Sequence, residues 1–400
     1  MDLIVGSFNQ ESLYTLHFTL PTPSSAASLT LLRAHPALGG HSWLTFSPNK
    51  KTLYASAWTK PNPSVAAYAI KAGGRELQLL NAKPVKALPG YVCADSSHLY
   101  AVGGPSGEVF YLERDGSIGS LVQELDFVTG HGANVSEQRD KDLGVGLGDF
   151  GGLRHGAHSI DLAPDGKSLY VPDIGRNCIW TFSISKSEDL LAPPLTLGSK
   201  HVSPRGHDGP RHSWPHPNGK VLYCLEEHSS MVDAFTISPD GVTLKHAQGV
   251  SIIPSDKKAD DYWADEVRLS TGPDSSKPRY VYASTRGLKP ETKGYVAVFP
   301  LDDDGNITSE EAIHIWETPT SGGLANAIEP APWVRGESEV QYLAMTDSEQ
   351  GWVFMLSFDG KEIREVTRYS LGKTEAGEVV GAATAVWLSN RGGGLQMQGL

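Results

Sequence analysis

The chain has only three cysteines in 400 residues, Cys93, Cys178 and Cys224, without the close pairing of a zinc or redox motif. They read as buried thiols, and a disulfide scaffold is excluded. No apolar run is long enough to span a bilayer. Met1 leads directly into a strand-like segment, without a basic region followed by an apolar one. A cytoplasmic protein is the expectation, with no membrane partner. Lys and Arg total 34 against 46 Asp and Glu, and nothing forms a basic stripe, which argues against a nucleic-acid partner. The net charge of -12 does not exclude a small acidic substrate, because a cationic pocket can sit inside an acidic molecule. Sustained helical periodicity is missing outside the loops. No Gly-x-Ser-x-Gly elbow, phosphate loop or dinucleotide fingerprint occurs in the right context. His201, His207, His212, His216 and His228 crowd together in sequence, but their spacing lacks the helical or Cys-paired form of a metal site. No metal and no cofactor are expected.

What the chain has is glycine, 43 residues, proline, 26 residues, and one recurring pattern. Residues 158–182, HSIDLAPDGKSLYVPDIGRNCIWTF, read as three short strands. Aromatic and β-branched residues alternate, with Pro, Asp, Gly and Asn where the backbone must reverse. The pattern returns as HSWLTFSPNKKTLYASAW at 41–58 and RHSWPHPNGKVLYCLEEH at 211–228. Looser copies lie at 91–104, 265–287 and 326–347. A spacing of roughly 50–70 residues is that of propeller blades rather than helical solenoids. The sequence therefore predicts an all-β, seven-bladed β-propeller, a single domain over 1–390. Six blades fall near 41–90, 91–150, 155–205, 208–260, 264–320 and 325–380. The seventh is split, with ATAVWLS at 383–389 as its inner strand and LIVGSF at 3–8 as its outer strand. Closing the ring this way removes open sheet edges. The Gly-rich stretch 124–157 is too long for a blade connection and reads as a lid. Residues 391–400 read as a disordered tail.

Blade topology also locates a site. The inner strand starts on the face where the second strand ends, beside the central channel. Inner-strand starts give His41, His158, Arg211, Asp265 and Asn326. Second-strand ends give Trp58, Asp173, Glu226 or Glu227, Arg286 and Asp347. A ring of imidazole, guanidinium and carboxylate suits a small polar or anionic substrate, since buried charges are costly unless paired or in use. The competing reading is structural, because propellers also brace their blades with His, Asp and Ser networks.

At these residues the chain resembles the fungal 3-carboxy-cis,cis-muconate lactonizing enzymes, within the seven-bladed lactonase propellers. The resemblance rests on TPTSGGLANAIEPAPW at 318–333 and TDSEQGW at 346–352. It is supported by GAHSIDLAPDGKSLYVPD, HPNGKVLYCLEE and YVYASTRG, and runs nearly end to end. It implies that His158, Arg211, Glu227 and Arg286 are the catalytic residues. The other ring positions read from blade topology, Trp58, His41, Asp173, Asp265, Asn326 and Asp347, are expected to contact substrate. Family members can carry His after the Gly-Gly of TSGG, where this chain has Leu324.

The implied reaction is cofactor-independent ring closure of a small unsaturated, oxygenated molecule. A substrate carboxylate adds to a carbon-carbon double bond of the same molecule, and a proton is delivered to carbon. Arginines would bind carboxylates and developing negative charge, and His158 or Glu227 would donate the proton. One rival is a natural-product cyclase of hetero-Diels–Alderase type, acting through a quinone methide. Another is lactone hydrolysis of the 6-phosphogluconolactonase kind, which would need a phosphate-binding cluster that the sequence does not show. A non-catalytic interaction propeller lacks its Gly-His and Trp-Asp signatures here. The oligomeric state is left open.

Overall fold

Three repeats reverse direction through the same turn, and its chemistry defines the blade. In Ser-Pro-Asn-Lys, Ala-Pro-Asp-Gly and His-Pro-Asn-Gly, proline presets the first corner. The N–H groups of Lys50, Gly166 and Gly219 donate back to the carbonyls of Ser47, Ala163 and His216 at 2.8–2.9 Å. Asn49, Asp165 and Asn218 accept from the backbone N–H two residues on. The residue after each Asx is left-handed, with φ of 54° at Lys50, 65° at Gly166 and 69° at Gly219. Glycine meets that geometry without a Cβ penalty, and Lys50 does not.

The computed structural model describes residues 1–128, 156–185, 187, 189–333 and 339–388. Most of the expected lid at 124–157, and the tail at 391–400, lie outside these. The strands form seven four-stranded antiparallel sheets. Blades 2 to 7 follow chain order at 44–84, 91–126, 161–202, 210–251, 262–317 and 328–370. Blade 1 is closed between the two ends of the chain. Its inner strand, Ala382–Trp387, pairs with Asp2–Ser7 in the register Leu3↔Trp387, Ile4↔Val386 and Val5↔Ala385.

This closure matches the sequence reading in its partners and corrects it in one respect. LIVGSF is the second strand of its blade, not the outer one. Ser12–Thr19 and Ser28–Pro36 supply the third and outer strands, so three of the four come from the N-terminal side. The reason is visible in burial. Leu3, Ile4 and Val5 are fully buried, as a strand covered on both faces requires, whereas Leu31 and Leu32 of the outer strand are exposed.

The recurrent Leu-Tyr of the second strands ties the blades to one another. The hydroxyls of Tyr54, Tyr170 and Tyr223 donate to the carbonyls of Gly116, Gly241 and Gly305. Each glycine lies in the outer hairpin of the following blade. The rings are buried between sheets and contribute large apolar area while their polar tips find a partner. Cys93, Cys178 and Cys224 form no disulfide, and the last two are buried. No helix of the described residues is long and apolar enough to cross a membrane.

Candidate functional site

The inner strands begin irregularly, and the irregularity builds the site. In blade 5, Pro210 pairs with Glu226 and His212 with Leu225, so Arg211 is an extra residue. In blade 6, Ala264 pairs with Thr285 and Glu266 with Ser284, so Asp265 is extra. Blades 2 and 4 do the same more loosely, taking four steps from Gly40 to Leu44, or Ala157 to Asp161, against three on the partner strand. His41, His158, Arg211 and Asp265 are therefore equivalent, each following the bridging residue. A bulge redirects side chains. Neighbours such as Arg211 and His212, which would face opposite ways in a regular strand, here both join one cluster.

That cluster spans blades 4 to 7. Arg211 forms ion pairs with Glu227 (2.9 Å) and Asp265 (2.7 Å), and its Nη1 also donates to the Asp265 carbonyl. Arg286 approaches Glu227 to 4.0 Å, lies 5.1 Å over the Trp263 ring and donates to the carbonyls of Leu324 and Gly323. The second carboxylate oxygen of Asp265 accepts from the backbone N–H of Asn326. His158 meets His212 with Nδ1 and Nε2 3.1 Å apart, and His212 Nδ1 lies 3.0 Å from Glu266. His228 stands 3.7 Å from Glu227 and stacks on His207. Arg211 and Arg286 balance Glu227 and Asp265, so the centre is close to electroneutral with both imidazoles neutral.

Burial and the nearby cations set the protonation. Burial, then Arg211, His212 and Arg286, holds His158 well below the usual imidazole range. Burial and the guanidiniums of Arg211 and Arg268 do the same to His212. Glu266 is pushed up to about 7 by burial, against Arg268 and Arg211. Below the cluster, along the inner strands, Arg268 is held by Glu266 and Glu329 and faces the rings of Trp43 and Trp214. Asp161 accepts from Tyr91, Ser159 and Ser213.

Six of the ten expected positions therefore meet: His158, Arg211, Glu227, Asp265, Arg286 and Asn326. Of the two adjacent carboxylates, Glu227 faces the cluster. Glu226 turns into blade 5 towards Asp233, Asp208 and Arg205. The other four positions have partners elsewhere. His41 is held by the Ser56 carbonyl (2.7 Å) and the Tyr68 hydroxyl (2.8 Å). Trp58 donates to the Pro89 carbonyl. Asp173 caps the following turn at the Arg176 N–H and accepts from Trp180 Nε1. Asp347 caps its turn at the Glu349 N–H and accepts from Thr320. An Asp at a strand end before a tight turn does this work by default.

Sequence reading missed His212, Glu266 and Trp263. His212 was considered only as a metal ligand. Its four sequence neighbours scatter, with His201 against Phe235, His216 against Tyr223, and His207 on His228. Among the described residues no group of three His, Cys, Asp or Glu side chains is placed to hold a metal ion. The adjacent polar pairs Arg211-His212 and Asp265-Glu266 were the available signal, since two consecutive buried charges break strand alternation.

Comparison with known proteins agrees with the seven-bladed fold. The family model described as "Lactonase, 7-bladed beta-propeller" matches residues 2–321. A protein of Cutaneotrichosporon cutaneum named muconate cycloisomerase 1 is 41% identical over 389 residues, covering 97% of this chain and 98% of that one. The carboxy-cis,cis-muconate cyclase of Neurospora crassa is 26% identical and covers 82% of this chain and 84% of its own length. Among solved structures, the periplasmic gluconolactonase of Pseudomonas aeruginosa superposes with a TM-score of 0.72 at 17% identity, covering 97% of this chain and 99% of that one.

Proposed function

Because the chain belongs to the seven-bladed β-propeller lactonase family, we propose that its buried His-Arg-Glu-Arg cluster closes a lactone ring on a muconate-type dienoate. The observation that carries this reading is the convergence of His158, Arg211, Glu227 and Arg286 from blades 4, 5 and 6, in a chain 41% identical to a named muconate cycloisomerase. Among such substrates we favour cis,cis-muconate over its 3-carboxy derivative. The cluster is nearly electroneutral. Position 324 is an exposed Leu whose carbonyl is already held by Arg286, so it offers no polar side chain for a further carboxylate.

In the proposed step Arg286 orients one substrate carboxylate, and Arg211 supplies positive charge from beneath it. A carboxylate oxygen forms the new C–O bond while the π pair of the double bond takes a proton from Nε2 of His158 in its imidazolium form, which the negative charge of the bound substrate favours over the neutral ring. The proton is regained from water, and atoms and electrons balance without an oxidant or reductant. Holding the diene folded for attack is itself a large part of such catalysis. Developing negative charge on the substrate is stabilised by fixed guanidiniums that need not reorganise.

A second reading, lactone hydrolysis, is favoured by the family's description. The two separate in one assay. Purified protein is given cis,cis-muconate, its 3-carboxy derivative and a sugar lactone, with loss of diene absorbance and release of acid followed in parallel. Turnover of a dienoate, abolished in His158→Ala, is expected. Hydrolysis of the sugar lactone without dienoate turnover would hand the function to the second reading. An uncharged o-quinone-methide precursor in the same panel tests the natural-product alternative.

A further inference from the structure

We propose that Glu266, acting through His212, fixes the tautomer of His158 so that Nε2 is the atom that exchanges a proton with substrate. His212 and Glu266 would be positioning residues, and the inference rests on His158 being the proton-transfer group. The chain of contacts crosses three blades. Glu266 Oε1 accepts from its neighbour's backbone N–H (Val267, 3.0 Å) and from Arg268 Nη1. An oxygen already accepting from two donors is an acceptor toward a third group. His212 Nδ1, 3.0 Å away, must then carry its hydrogen toward Glu266. In a neutral imidazole the other nitrogen is an acceptor. His212 Nε2 therefore receives the Nδ1–H of His158 across 3.1 Å. Among the described residues no partner holds Nε2 of His158, which carries the lone pair when neutral and the transferable proton when cationic.

The surroundings keep His212 neutral and immobile. Its ring lies edge-on to the stacked pair Trp43 and Tyr91, at 5.1 and 5.3 Å, and Trp43 and Tyr91 are 3.9 Å apart. Arg211 Nη1 is almost equidistant from its two ring nitrogens, at 3.4 and 3.3 Å, and so is aligned with neither. The charged or titratable groups facing it are Arg211, Arg268, Glu266, His158 and Tyr91. Two cations beside a buried imidazole oppose a third positive charge. The equivalent residues in blades 2 and 4 are Ser42, which bonds to Ser56 and to the Pro89 and Gly90 carbonyls, and Ser159, which donates to Asp161. Of these four blades, 5 and 6 place an imidazole and a carboxylate there, next to each other.

The test uses the full chain with its histidines labelled with nitrogen-15. In the wild type, His158 should show hydrogen on Nδ1 and none on Nε2 at a pH where it is neutral. Glu266→Met removes the acceptor at similar volume and should give a mixture of tautomers. It should also lower kcat by about 10² with KM unchanged, since a wrongly protonated imidazole cannot transfer the proton. The limb of the pH–rate profile assigned to His158 should move to lower pH, because a negative charge that favours imidazolium is gone. Glu266→Gln retains an acceptor oxygen and should restore the wild-type tautomer and most of the turnover. His212→Gln and His212→Phe repeat the contrast one link closer, should Glu266→Met fail to fold. An Nε2–H tautomer in the wild type, or an unaltered tautomer and pH profile in both Glu266→Met and His212→Phe, would overturn the proposal. The tautomer readout needs no turnover, so it fails separately from the assigned reaction, which falls if His158→Ala keeps full activity.

Discussion

His41 in blade 2 and His158 in blade 4 each follow the residue that bridges the inner strand to the end of the second strand. Both are buried, and both imidazoles are held below their usual range chiefly by burial. They differ in what surrounds the ring. Both nitrogens of His41 are held within its own blade, by Ser56 and Tyr68. His158 has one nitrogen committed to the next blade and sits beside two guanidiniums. Residue type and position in the repeat are thus insufficient to mark a functional group. A saturated imidazole fastens strands, whereas one with a nitrogen to spare beside fixed charge can move a proton. The adjacent pair Glu226 and Glu227 teaches the same thing, one carboxylate turned into the blade and the other towards the cluster.

The strongest way to break this comparison is at Arg211, which unites the cluster. Arg211→Ala would leave Glu227 and Asp265 buried without their shared cation, and breaking a buried pair in this way costs about 3–5 kcal/mol. We expect a large fall in Tm together with loss of turnover, so Arg211 is structural and functional at once. A variant with unchanged melting would mean that the cluster does not hold the blades.

Next comes the histidine pair itself. His158→Ala should reduce kcat by about 10²–10⁴ with little change in melting. His41→Ala should lower Tm while leaving kcat close to wild type. Equal behaviour of the two variants, measured by calorimetry and by diene turnover, would erase the distinction drawn here.

A gentler test uses pH. His41 has a folded-state pKa lowered to about 4 by burial, against an ordinary value of 6.5. The unfolded chain therefore binds the extra proton first. The stability associated with neutral His41 is complete above pH 6.5 and is lost as pH falls towards 4, on the order of 3 kcal/mol. Denaturant midpoints of the wild type and His41→Gln should converge across that window. Parallel curves would place the titration elsewhere.

The smallest effect is expected at Glu226. Burial, with Asp233 and Asp208 nearby, pushes its carboxyl well above the usual range. A raised folded pKa gives stability that is present at low pH and lost as pH rises through it. Glu226→Gln should therefore be more stable than wild type at neutral pH and should keep activity, unlike Glu227→Gln. Loss of activity in Glu226→Gln would show that the wrong one of the two has been placed in the site.

The sequence by itself determined the repeat, its period and the closure of the ring. These follow from local chemistry: Pro-Asx-Gly turns, Leu-Tyr strands and apolar alternation at both chain ends. It also nominated the face on which polar residues gather, because blade topology carries inner-strand starts and second-strand ends to the same side. It misplaced Asp2–Ser7 as an outer strand, since an apolar run says that a strand is buried without saying between which neighbours. Only the tertiary structure decided which of the gathered residues meet. The bulges at Arg211 and Asp265 add one residue to each inner strand, and no local pattern reports them because they exist only as a register between strands. They bring His212 and Glu266 into line behind His158. Partnering is decided in the same way, since the atoms that saturate His41 and those that leave His158 Nε2 open come from residues apart in the chain.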